Sequence, residues 1–161
     1  MGEVTHEQAK LMLQLYEMRR EPLMREAREW YFSKFHPASL EDIGKQAPMG
    51  SPASAYMRMV ISYWEMAASM VNRGLIDEEF FFENTGEQWF VWERIRPFVP
   101  AMRARNKNPH QYGNLEKHVS HLEAWREKRA PGTGEAMRQM MAQMAAPPPK
   151  SSGKKSRKGK R

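Results

Sequence analysis

The pattern of apolar and polar positions is most regular between residues 51 and 74. Ser51 followed by Pro52 is typical of a helix start, with the serine as N-cap and the proline in the first turn, and Gly74 is typical of a helix end. Between them, two apolar stripes repeat at helical spacing. The first stripe is Met57, Val60, Ile61, Trp64, Ala68 and Val71; the second is Tyr56, Met59, Tyr63, Met66 and Met70; the polar line is Arg58, Ser62, Glu65, Ser69 and Asn72. A helix that is apolar over most of its circumference is buried, so we predict a central helix over about residues 52–73.

Other helices are predicted on both sides of this central helix. Thr5 begins a capping box, and Pro22 divides the apolar periodicity that follows into two helical segments. Asp77 caps a short helix that carries Phe80–Phe82, whose three rings point in different directions, so they cannot all be equally buried. A tryptophan-rich helix follows, and Asn114 is the expected cap of another amphipathic helix. The chain is therefore predicted to be all-α, a compact bundle of five or six helices around the central helix.

The composition changes near the C-terminal end. We expect a helical domain over residues 1–130, a Met-rich segment over residues 131–146 that can form a helix, and a disordered tail rich in Pro, Lys, Arg, Ser and Gly over residues 147–161. Four methionines of the middle segment lie on one face of a helix: Met137, Met140, Met141 and Met144. Three interpretations remain open for this stripe. It can pack on the domain, dock in a groove of a partner protein, or stay disordered.

The positive charge of the chain is concentrated in the tail. The chain has 26 Lys and Arg against 19 Asp and Glu, a formal net charge of +7. Seven of the cations and no acid lie in the tail: Lys150, Lys154, Lys155, Arg157, Lys158, Lys160 and Arg161. The other 19 cations equal the 19 acids, so the rest of the chain is balanced. The tail is expected either to bind nucleic acid in a salt-sensitive, sequence-independent way or to act only as a solubilising extension. No aromatic residue follows Trp125, so base stacking has no partner there.

The absence of cysteine removes disulfides, thiolate nucleophiles and cysteine-based metal sites. The chain contains no run of roughly 18 apolar residues and does not begin with a secretory signal pattern, so we expect a cytoplasmic protein without a membrane span.

Histidines are the first candidates for a metal site. His110, His118 and His121 lie close in sequence, and three imidazoles can bind one metal ion. However, His118 falls on the apolar stripe of its helix, and His121 is rotated away from it. The preferred interpretation is a histidine at the edge of the core with a hydrogen-bond partner.

Glu65 is the most unusual carboxylate because it lies on the heavily apolar central helix. We expect a structural role, paired with Arg94 or Arg96 of the tryptophan-rich helix. The alternative is a general acid or base with a raised pKa.

Several short motifs together resemble a known family. They are Arg19-Arg20-Glu21-Pro22, Glu26-Ala27-Arg28-Glu29-Trp30, Ser62-Tyr63-Trp64-Glu65, the stretch Val71-Asn72-Arg73-Gly74-Leu75-Ile76-Asp77, the stretch Trp92-Glu93-Arg94-Ile95-Arg96-Pro97-Phe98, and Asn114-Leu115-Glu116. Over roughly residues 11–125 the chain resembles an uncharacterised bacterial helical family, the domain of unknown function numbered 4760. The resemblance implies an all-helical domain without an assigned activity, and it implies no functional residues.

The sequence therefore favours a non-enzymatic protein-interaction module. The alternatives are a nucleic-acid-associated protein that uses its basic tail, and an enzyme or metal protein without a readable motif. No catalytic residue, cofactor or metal ligand is predicted, and the oligomeric state is left open.

Overall fold

The predicted central helix is the longest helix of the computed structural model, which describes residues 3–145. Within that range the chain forms helices and no β-strand. The α-helices in chain order are α1 (His6–Arg20), α2 (Pro22–Ser33), α3 (Leu40–Gln46), α4 (Pro52–Asn72), α5 (Glu78–Asn84), α6 (Glu87–Ile95), α7 (Val99–Asn106), α8 (Gly113–Arg129) and α9 (Thr133–Ala145). A short 3₁₀ turn, Arg96–Phe98, joins α6 to α7 because Pro97 interrupts the α-helical hydrogen bonding. The all-α prediction is confirmed.

Both ends of α4 form as the sequence predicts. The Ser51 side chain accepts a hydrogen bond from the backbone N–H of Ser54 at 3.1 Å. At the other end Gly74 has a φ of +74°, and the N–H of Leu75 donates to the carbonyl of Met70 at 3.0 Å. This return of the chain onto the last helical turn is a Schellman-type cap, which requires the left-handed conformation that glycine adopts without strain.

Helix α4 is buried because other helices cover several of its sides. The most extensive packing against it comes from α2 and α8, with α5 and α6 adding further contacts. Both predicted stripes supply buried residues: Val60, Ile61, Tyr63, Trp64, Ala68 and Val71. On the polar line, Arg58 and Ser62 are exposed. The prediction of a central buried helix is confirmed.

Helix α9 packs against α8 on the outside of the bundle. The Met137 and Met141 side chains contact the core cluster, whereas Met140 and Met144 are exposed. Arg138 anchors the helix through ion pairs with Glu93 and with Glu123. The Glu93 side chain is only 7% exposed. The predicted disorder of residues 147–161 concerns residues outside the described range.

None of the helices within residues 3–145 combines the length and the apolar content that crossing a bilayer requires.

Candidate functional site

An apolar cleft of about 370 Å³ lies between α1, α4 and α5. Its lining residues are Ala9, Met12, Leu13, Leu15, Tyr16, Arg19, Tyr63, Trp64, Phe80, Phe81, Asn84 and Thr85. Volumes of this size and a mostly apolar lining with a few polar groups are typical of ligand sites.

The helical periodicity of α1 forms one wall of the cleft. Ala9, Met12, Leu13 and Tyr16 are spaced by three and four residues and therefore share one face. Leu13 and Tyr16 are 63% and 53% exposed. These two side chains form the rim of the cleft. Phe80 of α5 is half-buried on the opposite wall, whereas Phe81 and Phe82 are buried. The prediction that the three phenylalanines differ in burial is confirmed.

The floor of the cleft is held rigidly by α4. The Tyr63 hydroxyl donates to the carbonyl of Leu15 at 2.7 Å, and its ring packs edge-to-face against Trp64. Burial raises the pKa of Tyr63 to about 12, so the hydroxyl stays protonated and keeps donating at neutral pH. Both aromatic side chains are therefore fixed in place by packing and hydrogen bonding.

A cluster of charged side chains lies next to the cleft, shares Arg19 with its lining, and joins four helices around Glu87. Glu87, in the first turn of α6, accepts hydrogen bonds from Arg19 of α1 at 2.9 Å, from Arg28 of α2, and from the Trp64 indole at 3.2 Å. Its side chain is 13% exposed. Burial alone would raise the pKa of Glu87, but the hydrogen bonds from Arg28 and the charge of Arg19 outweigh burial and hold that pKa below its ordinary value.

Arg19 is the charged member of the cleft lining. Its guanidinium lies over the Trp64 ring, 5.3 Å from the ring centre, and its side chain is 19% exposed. One nitrogen, Nη2, is bonded to Glu87, while Nε is buried and has no hydrogen-bond partner within residues 3–145. The guanidinium therefore retains donor capacity that the described part of the protein does not use.

Glu65 has a structural role, but the predicted pairing with Arg94 or Arg96 is wrong. Its Oε1 accepts from the backbone N–H of Asn114 at 3.1 Å, and its Oε2 accepts from the N–H of Leu115 at 2.8 Å. These N–H groups belong to the first turn of α8, where a negative charge is favoured by the helix dipole. Tyr112, in the left-handed conformation at φ +60°, takes the N-cap position. Asn114 is therefore inside the helix, and its predicted capping role is supplied by Glu65.

Arg94 and Arg96 have other partners. The Arg94 guanidinium donates to the backbone carbonyl of Tyr31, and Arg96 pairs with Glu93 on its own helical segment at 3.1 Å.

The three histidines do not converge. His118 is fully buried between Phe81 and Phe82, and neither of its ring nitrogens has a hydrogen-bond partner within the described residues. The expectation of a hydrogen-bonded histidine at the core edge is therefore wrong. His121 is exposed on the neighbouring face and lies 2.7 Å from Glu78. Across residues 3–145, no three His, Asp or Glu side chains are arranged to share a metal ion.

The other predicted site residues are the four methionines of α9 and the seven cations of the tail. Of the four methionines, Met137 and Met141 face the bundle, and Met140 and Met144 face solvent. The seven tail cations lie outside the described residues.

Neither the cleft nor the charged cluster next to it was predicted from the sequence. A signal for Arg19 was present, because it follows Met12 and Tyr16 by seven and three residues and so shares their face of α1. Glu87 gave no comparable signal, since its partners are 23 to 68 residues away.

The fold and the cleft together define a helical bundle with an apolar cleft between three of its helices. The family model described as "Domain of unknown function (DUF4760)" matches residues 4–122, and the chain belongs to this family. The matched span contains every residue that lines the cleft and ends before α9. No curated protein and no solved structure matches the chain.

Proposed function

We propose that the protein is a cytoplasmic, non-enzymatic interaction module whose cleft between α1 and α5 receives apolar side chains from a helical segment of a partner protein. The observation that carries this proposal is the position of Leu13 and Tyr16. Both are more than half exposed, and both stand at the rim of a concave apolar surface. Isolated exposed apolar side chains are common, but exposed apolar side chains that continue a cleft mark interaction sites.

The shape of the cleft favours a helical occupant. Its rim follows α1, so its exposed apolar residues repeat once per helical turn. An amphipathic helix presents anchors at the same interval, and helix-in-groove binding uses that match.

Three carboxylates that are shielded from solvent support the non-enzymatic part of the proposal. Glu65 caps α8, Glu87 pairs with two arginines, and Glu93 anchors α9 through Arg138. Each is engaged in holding helices together.

Site-specific photocrosslinking in the native host tests the proposal. A photoreactive benzoylphenylalanine replaces Leu13 in one protein and Met18 in a matched control. Met18 lies on the same helix and is also exposed, but it does not line the cleft. We expect a discrete protein adduct from position 13 and none from position 18. Equal labelling from both positions, or no adduct from position 13, would overturn the proposal.

A second candidate function, nucleic-acid binding by the tail, is favoured by the concentration of seven cations after Pro149 against a balanced remainder. A chain that ends at Pro149 is the matched comparison for the full chain, with a fluorescent 30-nucleotide RNA and a DNA duplex as probes. Binding that weakens steeply with added salt and disappears in the shortened chain is the expected result. Salt-resistant binding, or equal binding by both chains, contradicts this candidate function.

Met140 and Met144 are a further candidate contact for a protein partner, since both are exposed on α9.

A further inference from the structure

The charge of the cluster around Glu87, next to the cleft, is not balanced. Two guanidinium groups, those of Arg19 and Arg28, share the single carboxylate of Glu87. Within residues 3–145, no second carboxylate lies within ion-pair distance of either arginine. The cluster therefore carries one surplus positive charge where water is largely excluded, and a buried charge is stabilised strongly by an opposite charge.

The surplus charge faces the cleft through Arg19. Arg19 is the single residue with a charged side chain among the twelve that line the cleft, and the other lining residues are apolar, aromatic or neutral polar. Arg28 does not line the cleft. A group that enters between Leu13 and Phe80 therefore meets mostly apolar walls and one guanidinium.

From this charge complementarity we infer that the occupant of the cleft is an amphipathic helix that carries a carboxylate, Asp or Glu, about one turn from its apolar anchor, and that this carboxylate pairs with Arg19. The inference rests on the proposed function and names the chemistry of its partner. A guanidinium recognises a carboxylate through two parallel hydrogen bonds, and Nη1 of Arg19, which has no hydrogen-bond partner within residues 3–145 and is not buried as Nε is, is available for one of them. A singly charged carboxylate matches the surplus of one charge, whereas a doubly charged phosphate would leave a new imbalance.

A helical-peptide display library separates the inference from the proposed function. The library fixes two apolar anchors four residues apart and randomises the remaining positions. Peptides are selected on the wild-type protein after removal of those that also bind the Leu13→Gln variant, which makes the rim polar without adding a charge. We expect the recovered peptides to be enriched in Asp or Glu within one turn of an anchor. Recovered peptides without an acidic preference would overturn the inference and leave the proposed function standing. Recovery of no peptide that depends on Leu13 would overturn the proposed function and the inference with it.

A matched pair of peptides then tests the role of Arg19. One peptide is a recovered acidic sequence, and the other replaces its carboxylate with the isosteric amide. On the wild-type protein, the Kd measured by fluorescence anisotropy should be about tenfold weaker for the amide peptide, since a charge-assisted hydrogen bond discriminates by roughly that factor. On Arg19→Gln the two peptides should bind within about twofold of each other. A tenfold preference that persists on Arg19→Gln would overturn the assignment.

Two further variants keep this test interpretable. Arg20→Gln removes the same charge from the same end of α1, but Arg20 does not line the cleft and packs over Tyr16 at the rim. The Arg20→Gln variant should still prefer the acidic peptide by a factor near ten. Loss of that preference in Arg20→Gln would show that general electrostatic attraction is responsible.

Arg19→Lys keeps the charge near Glu87 and is the variant to use if Arg19→Gln does not fold. It should retain only part of the preference, because an ammonium group does not bind a carboxylate through the planar paired geometry. An unchanged preference would contradict pairing by the guanidinium.

Discussion

The carboxylate of Glu65 binds Asn114 through two nitrogen atoms, the backbone N–H at 3.1 Å and the side-chain amide at 2.9 Å. With the additional bond from Leu115, one side chain of α4 satisfies the first turn of α8. Glu65→Gln removes the charge and replaces one acceptor oxygen with a donor group. We expect a loss of about 1–3 kcal/mol in the free energy of unfolding, measured by urea titration. Ser62→Ala, on the same polar line but exposed, is the control and should change stability by less than about 0.5 kcal/mol. A loss for Glu65→Gln no larger than that of the control would refute the capping role.

Because the His118 imidazole is buried, we expect the stability of the protein to depend on pH. Burial lowers its pKa to about 4 from the ordinary 6.5, with a further contribution from the charge of His121. The unfolded state therefore binds the proton more tightly, and stability is highest above pH 6.5 and falls as the pH decreases toward 4. The loss from this residue should approach about 3 kcal/mol.

His118→Leu isolates that contribution. The leucine removes two buried nitrogens that lack partners within the described residues, so we expect a gain of about 1–2 kcal/mol at pH 7.5 and a larger gain at pH 5. Thermal unfolding of both proteins across pH 4.5–7.5 provides the measurement. A difference in stability that does not change with pH would contradict the depressed pKa.

Glu87 is expected to be the most sensitive charged residue of the bundle. Glu87→Gln leaves Arg19 and Arg28 without their shared counter-ion, and removal of one partner from a largely buried ion pair costs about 2–4 kcal/mol. Glu83→Gln is the control because Glu83 is half exposed and pairs with Arg129 at 3.4 Å; its cost should be below about 0.5 kcal/mol. Chemical denaturation measures the loss in the free energy of unfolding for both variants. Similar small losses would show that the charged cluster contributes little to stability.

Arg138 should govern the attachment of α9. It forms an ion pair with the nearly buried Glu93 and another with Glu123, and both link this helix to the bundle. Arg138→Ala is expected to increase the rate of thermolysin cleavage within residues 131–145 several-fold, because proteolysis requires local opening. Gln139→Ala, at the neighbouring exposed position, should leave the rate unchanged. Rapid cleavage of the wild-type protein in this segment would contradict stable packing of α9.

Much of the fold was predictable because its signals are local. The ends of α4 were evident from Ser51, Pro52 and Gly74, since each stabilises a helix terminus by its own backbone preference or short side chain.

The candidate site was less predictable, because it depends on which helices become neighbours. Glu65 illustrates the difference. Its place on the heavily apolar α4 was evident from the periodicity, but its partner is a helix terminus 49 residues away, and no local pattern distinguishes that terminus from an arginine.

The position of Glu87 also constrains how the protein emerges during synthesis. Packing of α1 against α2 brings two cations together, and Arg19 and Arg28 are made about 60 residues ahead of Glu87, the anion that they share. A nascent chain that ends within α4 would have to bury two like charges to close its first helices against each other. We therefore expect the N-terminal half to stay open on the ribosome until α6 has emerged, and the bundle to close in one cooperative step.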